Sequence, residues 1–305
     1  MNSSVPAPLG VVKHYNLLER LEPSGPGELY RARDTRLGRT VTVRLLPADY
    51  PSETAGRERL LENVRALTVV SHPNVTALFD AGEHEGRLFL VFEFLKGQSL
   101  RVEAAGRPMN VRRAVELAIQ IADGVAEAHS AGFNHGGLSP DTIVITDRGH
   151  AKIPAFELAS SGGFEHGPDG MRLRDYDSPE EARGEPPDDR SDIYSVGAVL
   201  YEMLTTKRPM HKGAAAPSAS NAAVPAEVDE VVLHAVAPNP DRRTQSAATL
   251  AAELRSVAAV LDVRGIAEDE EEALPERSTS LGRVLLLTLV ILAFAVLVVW
   301  WLSRA

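Results

Sequence analysis

The 305-residue sequence contains no cysteine. That absence excludes a disulfide framework, a thiolate metal site and a cysteine nucleophile together, and it fits a reducing compartment. Aromatic residues make up only 5% of the chain, and its two tryptophans, Trp300 and Trp301, are adjacent. A basic excess is missing too. The 32 lysines and arginines stand against 42 aspartates and glutamates, a formal charge of -10, so no overall field draws nucleic acid, and nucleic-acid binding is set aside. Met1 to Lys13 lacks the basic segment and apolar run of a signal peptide. Histidines such as His14, His84, His166, His211 and His234 show no ligand-like spacing. What the chain does have is 44% apolar content, enough to bury a large core, which argues against disorder throughout.

One long apolar run occurs, Val284 to Leu302, nineteen residues without a charge. At the helical rise it covers about 28 Å, close to a bilayer's hydrocarbon core. The expectation is a transmembrane helix over 283–302, bracketed by Arg283 and Arg304, with the tryptophan pair as an interfacial anchor. Only residues 303–305 follow it, so the preceding chain is expected in the cytoplasm, making this a single-pass protein of the cytoplasmic membrane. Residues 262–282, with Glu268, Asp269, Glu270, Glu271, Glu272 and Glu276, read as a self-repelling acidic juxtamembrane linker.

Before that linker the pattern changes once. After an N-terminal tail, residues 1–14, short alternating segments such as Thr40 to Leu45 and Leu88 to Phe92 predict a small, mostly antiparallel sheet, with one helix near Arg57 to Val70. From Asn110, a residue type suited to an N-cap, apolar residues at three and four spacing (Val111, Val115, Leu117, Ala118, Ile121, Ala122, Val125) predict an amphipathic helix. Ser191 is read as the cap of a segment, Asp192 to Leu204, that is apolar almost all round; at thirteen residues it is too short for a bilayer and is expected as a buried central helix. Residues 213–225 read as a loop.

Several phrases in order carry a family resemblance: Tyr30 to Arg39, His72-Pro73-Asn74, Ser178-Pro179-Glu180 with Ala182-Arg183-Gly184, and Ser191-Asp192-Ile193-Tyr194-Ser195. Over 15–261 the chain resembles the bacterial Ser/Thr protein kinases of eukaryotic type. The resemblance implies an α+β, two-lobed fold, a small antiparallel sheet lobe followed by a larger helical lobe. It also implies structural roles for Leu67, Leu78, His135 and Phe156 in a stacked apolar column, for Glu180 and Arg243 as a salt bridge, and for Asp192 as a support of the catalytic loop.

At the family's chemical positions the residues differ. The glycine-rich loop reads Glu22-Pro23-Ser24-Gly25-Pro26-Gly27, and two prolines there remove N-H donors. The phosphate-steadying lysine is Arg44, and its glutamate partner falls on Asn63, with Glu62 about 100° away on a helix. The catalytic loop, His135-Gly136-Gly137-Leu138-Ser139-Pro140-Asp141-Thr142, has Gly137 for the catalytic aspartate and Thr142 for a metal-holding asparagine. The metal-binding triplet is Ala155-Phe156-Glu157. Asp141 is read as a solvent-facing acid. An adenine pocket of Leu21, Leu29, Thr42, Phe92 and Val144 is expected to be vestigial.

The expectation is therefore a catalytically inactive, membrane-tethered scaffold or regulatory protein. It would bind neither ATP nor magnesium and would partner an active kinase or an envelope-associated protein. A weak or unconventional nucleotide-dependent Ser/Thr kinase, and a small-molecule sensor built on the former ATP cleft, stand as alternatives.

Overall fold

The computed structural model describes residues 8–22, 27–48, 64, 68, 70–153 and 175–273, with side chains to 263. The expected helix near Arg57 to Val70 and the expected span 283–302 lie largely or wholly outside these residues. Among the described residues no helix is long and apolar enough to cross a membrane.

Alternation of apolar and polar residues produces the first layer. Strands β1 (Gly10–Val12), β2 (Tyr15–Leu21), β3 (Glu28–Asp34), β4 (Thr40–Leu45), β5 (Leu78–His84) and β6 (Arg87–Glu93) form one antiparallel sheet in the order β1-β2-β3-β4-β6-β5. Side chains of paired residues share a face, so the registers sort the sheet into two. One face gathers Tyr15, Leu17, Ala32, Val41, Val43, Phe89 and Val91 into a closed core. The other aligns Leu21 with Leu29, Leu29 with Arg44, and Arg44 with Leu90, while Thr42 pairs with Phe92 one step along. This second face bears on function.

A second antiparallel sheet, β7 (Gly97–Ser99), β8 (Val144–Thr146) and β9 (Ala151–Lys152), belongs to the helical part of the chain. Helix α1 (Leu100–Ala104) follows β7 and begins on the side-chain cap of Ser99. Helix α2 (Val111–Ser130) is capped by Asn110, whose Oδ1 accepts from the Arg113 N-H at 3.2 Å, and it buries Val115, Leu117, Ile121 and Val125. Short helix α3 (Pro179–Ala182) opens on a Ser178–Glu181 capping box.

Helix α4 (Asp189–Thr205) runs through the helical layer with almost every residue from Ser191 to Thr205 buried. It starts one turn earlier than the sequence suggested. Asp188 is the cap, accepting from the Arg190 N-H, and Ser191 is the reciprocal partner three residues in. Asp and Ser compete equally well for a cap, so the pattern alone did not choose between them. Gly197 lets helix α5 (Ala226–Ala235) approach: a Cβ there would lie 2.7 Å from that of Ala235. Between α4 and α5 there is one 3-10 turn, Pro217–Ala219.

Helix α6 (Ala247–Ala273) ends the described chain. The chain divides into two compact units after Ala258. The backbone is helical through Glu268 to Glu272, where the sequence suggested an unstructured spacer; alanine and glutamate are strong helix formers, and this local propensity outweighs their mutual repulsion.

The helical layer is anchored by a buried ion pair. Arg243 Nη1 and Nη2 donate to Glu180 Oε1 and Oε2 at 2.7 and 3.0 Å, with side-chain exposures of 0% and 7%. Arg243 also donates to the carbonyls of Arg190 and Ala237, and Ser191 Oγ donates to Glu180 at 3.0 Å. Burial raises the Glu180 pKa, but the arginine's hydrogen bonds outweigh it and hold the carboxyl down at about 2, from 4.5. A depressed carboxylate stabilises the fold fully above its unfolded pKa. The expected result is that this contribution fades as pH falls from 4.5 toward 2, and that Arg243→Ala, which strands a buried charge, costs about 3–5 kcal/mol in urea unfolding at neutral pH.

Candidate functional site

The loop from Phe133 to Ile143 is shaped by one carboxylate. Asp192, 1% exposed on α4, accepts from the His135 N-H at 2.7 Å and the Gly136 N-H at 2.8 Å, and its Oδ2 lies 2.8 Å from His129 Nε2 at the end of α2. The His135 ring beside it is buried, and burial pushes its pKa down to about 4, so it is neutral. Gly136 takes a φ of 62°, a conformation glycine adopts without strain.

Gly137 brings no side chain to the loop. Thr142 closes it instead: its Oγ1 donates to the Ser139 carbonyl at 3.0 Å and approaches the Gly137 carbonyl at 3.4 Å, while the Ser139 N-H donates to Oγ1 at 3.1 Å. The threonine hydroxyl is thus committed to its own loop. Ala155, Phe156 and Glu157 lie outside the described residues, as do Asn63, Leu67 and the turn from Pro23 to Pro26. Gly27 is described, and its φ of 87° brings the backbone against β4, where a Cβ would meet the Leu45 carbonyl at 2.1 Å.

On the second face of the large sheet, Leu21, Leu29, Thr42 and Phe92 are half-buried, Leu78 is buried, and Arg44 is 8% exposed. Burial brings the Arg44 guanidinium down to about 10, and it remains charged at neutral pH. Val144 of β8, also half-buried, stands in the helical part. The pairings put the buried Arg44 and an apolar row on the same surface, an arrangement suited to a flat apolar ring carrying an anionic tail.

Two links beside this face had not been singled out in the sequence. Lys152 Nζ donates to Glu93 Oε2 at 2.6 Å, joining β9 to the end of β6. Asn74 Nδ2 donates to the Ala151 carbonyl at 2.7 Å, and the Thr76 N-H to the Ile153 carbonyl at 2.8 Å, across a parallel bridge between Val75 and Ile153. These links tie the segment before β5 to the strand that leads toward 155–157. Asn74 stands in the His72-Pro73-Asn74 phrase noted above, where no bonding role was assigned to it; Lys152 and Glu93 had no pairing signal, being ordinary surface residue types far apart in sequence.

Asp141 was expected to face solvent, and the structure corrects this. Arg101 of α1 reaches it: Nη2 donates to Asp141 Oδ2 at 3.1 Å and to the Tyr176 hydroxyl at 2.6 Å, and Nη1 pairs with Glu202 of α4. Tyr176 also donates to Glu202. Burial would weaken the Arg101 charge, but the bonds to Asp141 and Tyr176 outweigh it and raise its pKa.

With this geometry in place, comparison with known proteins is informative. The protein kinase domain family model matches residues 18–258. A probable serine/threonine-protein kinase of Streptomyces coelicolor is 32% identical over 260 residues, 76% of this chain and 38% of that protein. The serine/threonine-protein kinases PknB of Mycolicibacterium smegmatis and PrkC of Bacillus subtilis are 34% and 30% identical, each over 79% of this chain and 42% and 40% of their own lengths. The chain therefore spans about two-fifths of these relatives. The Mycobacterium tuberculosis PknI kinase domain superposes with a TM-score of 0.68 at 19% identity, covering 83% of this chain and 99% of that domain, a likeness of fold alone.

These findings support the two-lobed fold and overturn the expectation of a catalytically inactive scaffold that uses neither ATP nor magnesium, since relatives at 30–34% identity are named as serine/threonine-protein kinases. Phosphoryl transfer depends mainly on positioning and field, which a whole frame supplies, so a missing side chain lowers a rate without defining the protein's class.

Asp192→Asn offers an amide N-H₂ to donors that need an acceptor. It is expected to lower stability by about 2–3 kcal/mol and to speed hydrogen exchange at the His135 and Gly136 amides, measured by NMR.

Proposed function

We propose, from the premise that this chain belongs to the protein kinase family, that it is an unconventional Ser/Thr protein kinase held at a membrane, transferring a phosphoryl group from ATP to hydroxyls of protein substrates. The observation that carries this reading is the Asp192 clamp. A buried carboxylate receives both amide N-H groups at the head of the loop and so fixes where an accepting hydroxyl would sit. Catalysis by position needs this rigidity first.

The residues fit a nucleotide in part. Leu21, Leu29, Thr42 and Phe92 offer an apolar surface for the base, with Val144 from the helical part, and Arg44 supplies positive charge on the same sheet face. Magnesium, when bound, supplies charge neutralisation at the phosphates. The described residues gather no set of three carboxylate or imidazole ligands, and the Thr142 hydroxyl is committed to its own loop, so no metal-dependent step is assigned to them. With Gly137 in the loop, no side chain there takes the proton of the accepting hydroxyl, which passes to solvent water as the bond to phosphorus forms and ADP leaves; transfer then relies on the held loop and the buried cation, at a rate below that of an enzyme with a general base.

The uncharged run from Val284 to Leu302 supports membrane attachment. Confinement would raise the effective concentration of substrates on the same surface.

Radiolabelled ATP with magnesium or manganese, supplied to the purified full chain and a generic protein substrate, should give slow transfer to serine or threonine. Gly137→Asp, which restores a proton acceptor, should raise that rate about 100-fold. No transfer above background from either protein, with both folded, would rule out the reading.

A further inference from the structure

The ion pair of Lys152 and Glu93 stands between two members of the apolar row proposed for the base. Lys152 is the register partner of Val144 in the β8–β9 ladder, and Glu93 directly follows Phe92 on β6. Phe92 aligns with Thr42 on the large sheet, whereas Val144 belongs to the small one. A single bond therefore links the strands that carry the two sides of the slot.

The surroundings hold that bond in place. Lys152 Nζ donates to Glu93 Oε2 at 2.6 Å and to the Val75 carbonyl at 3.5 Å, and the same Oε2 accepts from the Ala77 N-H at 3.5 Å. The Glu93 N-H donates to the Ala77 carbonyl at 2.9 Å. With Lys152 at 16% exposure and Glu93 at 31%, water screens the pair only in part. The Asn74 and Thr76 bonds already fix β9 to the segment before β5, and the ion pair extends that hold to β6. β6 ends at Glu93 and β7 begins at Gly97, so residues 94–96 form the direct covalent connection from the large sheet to the helical part. A connection of peptide bonds alone leaves its dihedrals free to turn; a charge-assisted hydrogen bond alongside it limits that turning.

We infer that Lys152 is a positioning residue for the proposed nucleotide site: by holding Glu93 it sets the separation of Val144 from Thr42 and Phe92, and so the width of the slot that a purine ring enters. The inference deepens the nucleotide reading given above and rests on it. The lysine amine is committed to Glu93, so its action on a bound ring passes through β6 and β8.

The chain has no cysteine, so paired spin labels can be placed without background, at Arg36→Cys on the exposed β3–β4 turn and Ser130→Cys at the exposed end of α2. In the full chain held in phosphatidylcholine nanodiscs, Lys152→Met keeps the apolar stem and should broaden the distance distribution between the labels. It should also weaken adenosine binding about tenfold, read by displacement of trinitrophenyl-ATP. Lys152→Arg, which keeps a donor, should retain the narrow distribution and the affinity. In turnover, Lys152→Met should raise the KM for ATP by a similar factor while kcat holds. If Lys152→Met does not fold, Glu93→Gln removes the charge from the other side and takes its place. Either an unchanged distance distribution or an unchanged adenosine affinity in the folded variant overturns the inference, as does an equal loss in Lys152→Arg or a fall in kcat with KM unmoved. Failure of the wild-type chain to bind adenosine overturns it as well. Adenosine binding without phosphoryl transfer counts against the kinase reading alone, and the distance and affinity measurements still decide the role of Lys152.

Discussion

A single buried carboxylate, Asp192, sets the geometry on which the functional reading depends. A charge at 1% exposure is tolerable only if its lone pairs are filled, and the donors that fill them are two backbone N-H groups and an imidazole nitrogen. Because two of those donors are main-chain atoms at the head of a loop, satisfying the charge and fixing the loop are the same event. The helix that carries Asp192 must in turn be immobile. Burial on nearly all sides, the Asp188–Ser191 cap and the adjacent Glu180–Arg243 pair make it so.

The arginines show how one residue type acts differently with surroundings. Arg243 is enclosed, its bonds go to a carboxylate and to carbonyls, and it joins segments distant in sequence. Arg44 is enclosed on a strand, where burial lowers its pKa yet leaves it charged. Arg101 is about one-third exposed and pairs with Asp141 and Glu202. Burial, more than residue identity, separates a closed tie from a partly open ion pair.

Much of the fold was legible because it rests on local patterns. The alternation in Thr40 to Leu45 and Leu88 to Phe92, the Asn110 cap and the all-round apolar segment ending at Leu204 correspond to β4, β6, α2 and α4. Misreadings arose where two local rules competed. Ser191 and Asp188 are both good caps, and the glutamates after Glu268 both repel one another and favour helix. At the site, the residue types at Arg44, Gly137 and Thr142 could be read directly. Their consequence could not: judging each absence alone led to an inactive scaffold, whereas family membership over residues 18–258 and the names of similar relatives point to an enzyme.

By itself the sequence determined which segments alternate and which wind, because those periods are properties of a few neighbouring residues. It also determined the lack of thiols and of basic excess, and the uncharged run near its end. Only the tertiary structure decided that Leu21, Leu29, Arg44 and Phe92 share one sheet face, since that depends on strand register. It alone decided that Lys152 meets Glu93, and that Asp141, Glu202, Tyr176 and Arg101 converge. Asp141, Tyr176 and Glu202 lie 40, 75 and 101 positions from Arg101, and pairing at such separations leaves no periodic trace in a sequence.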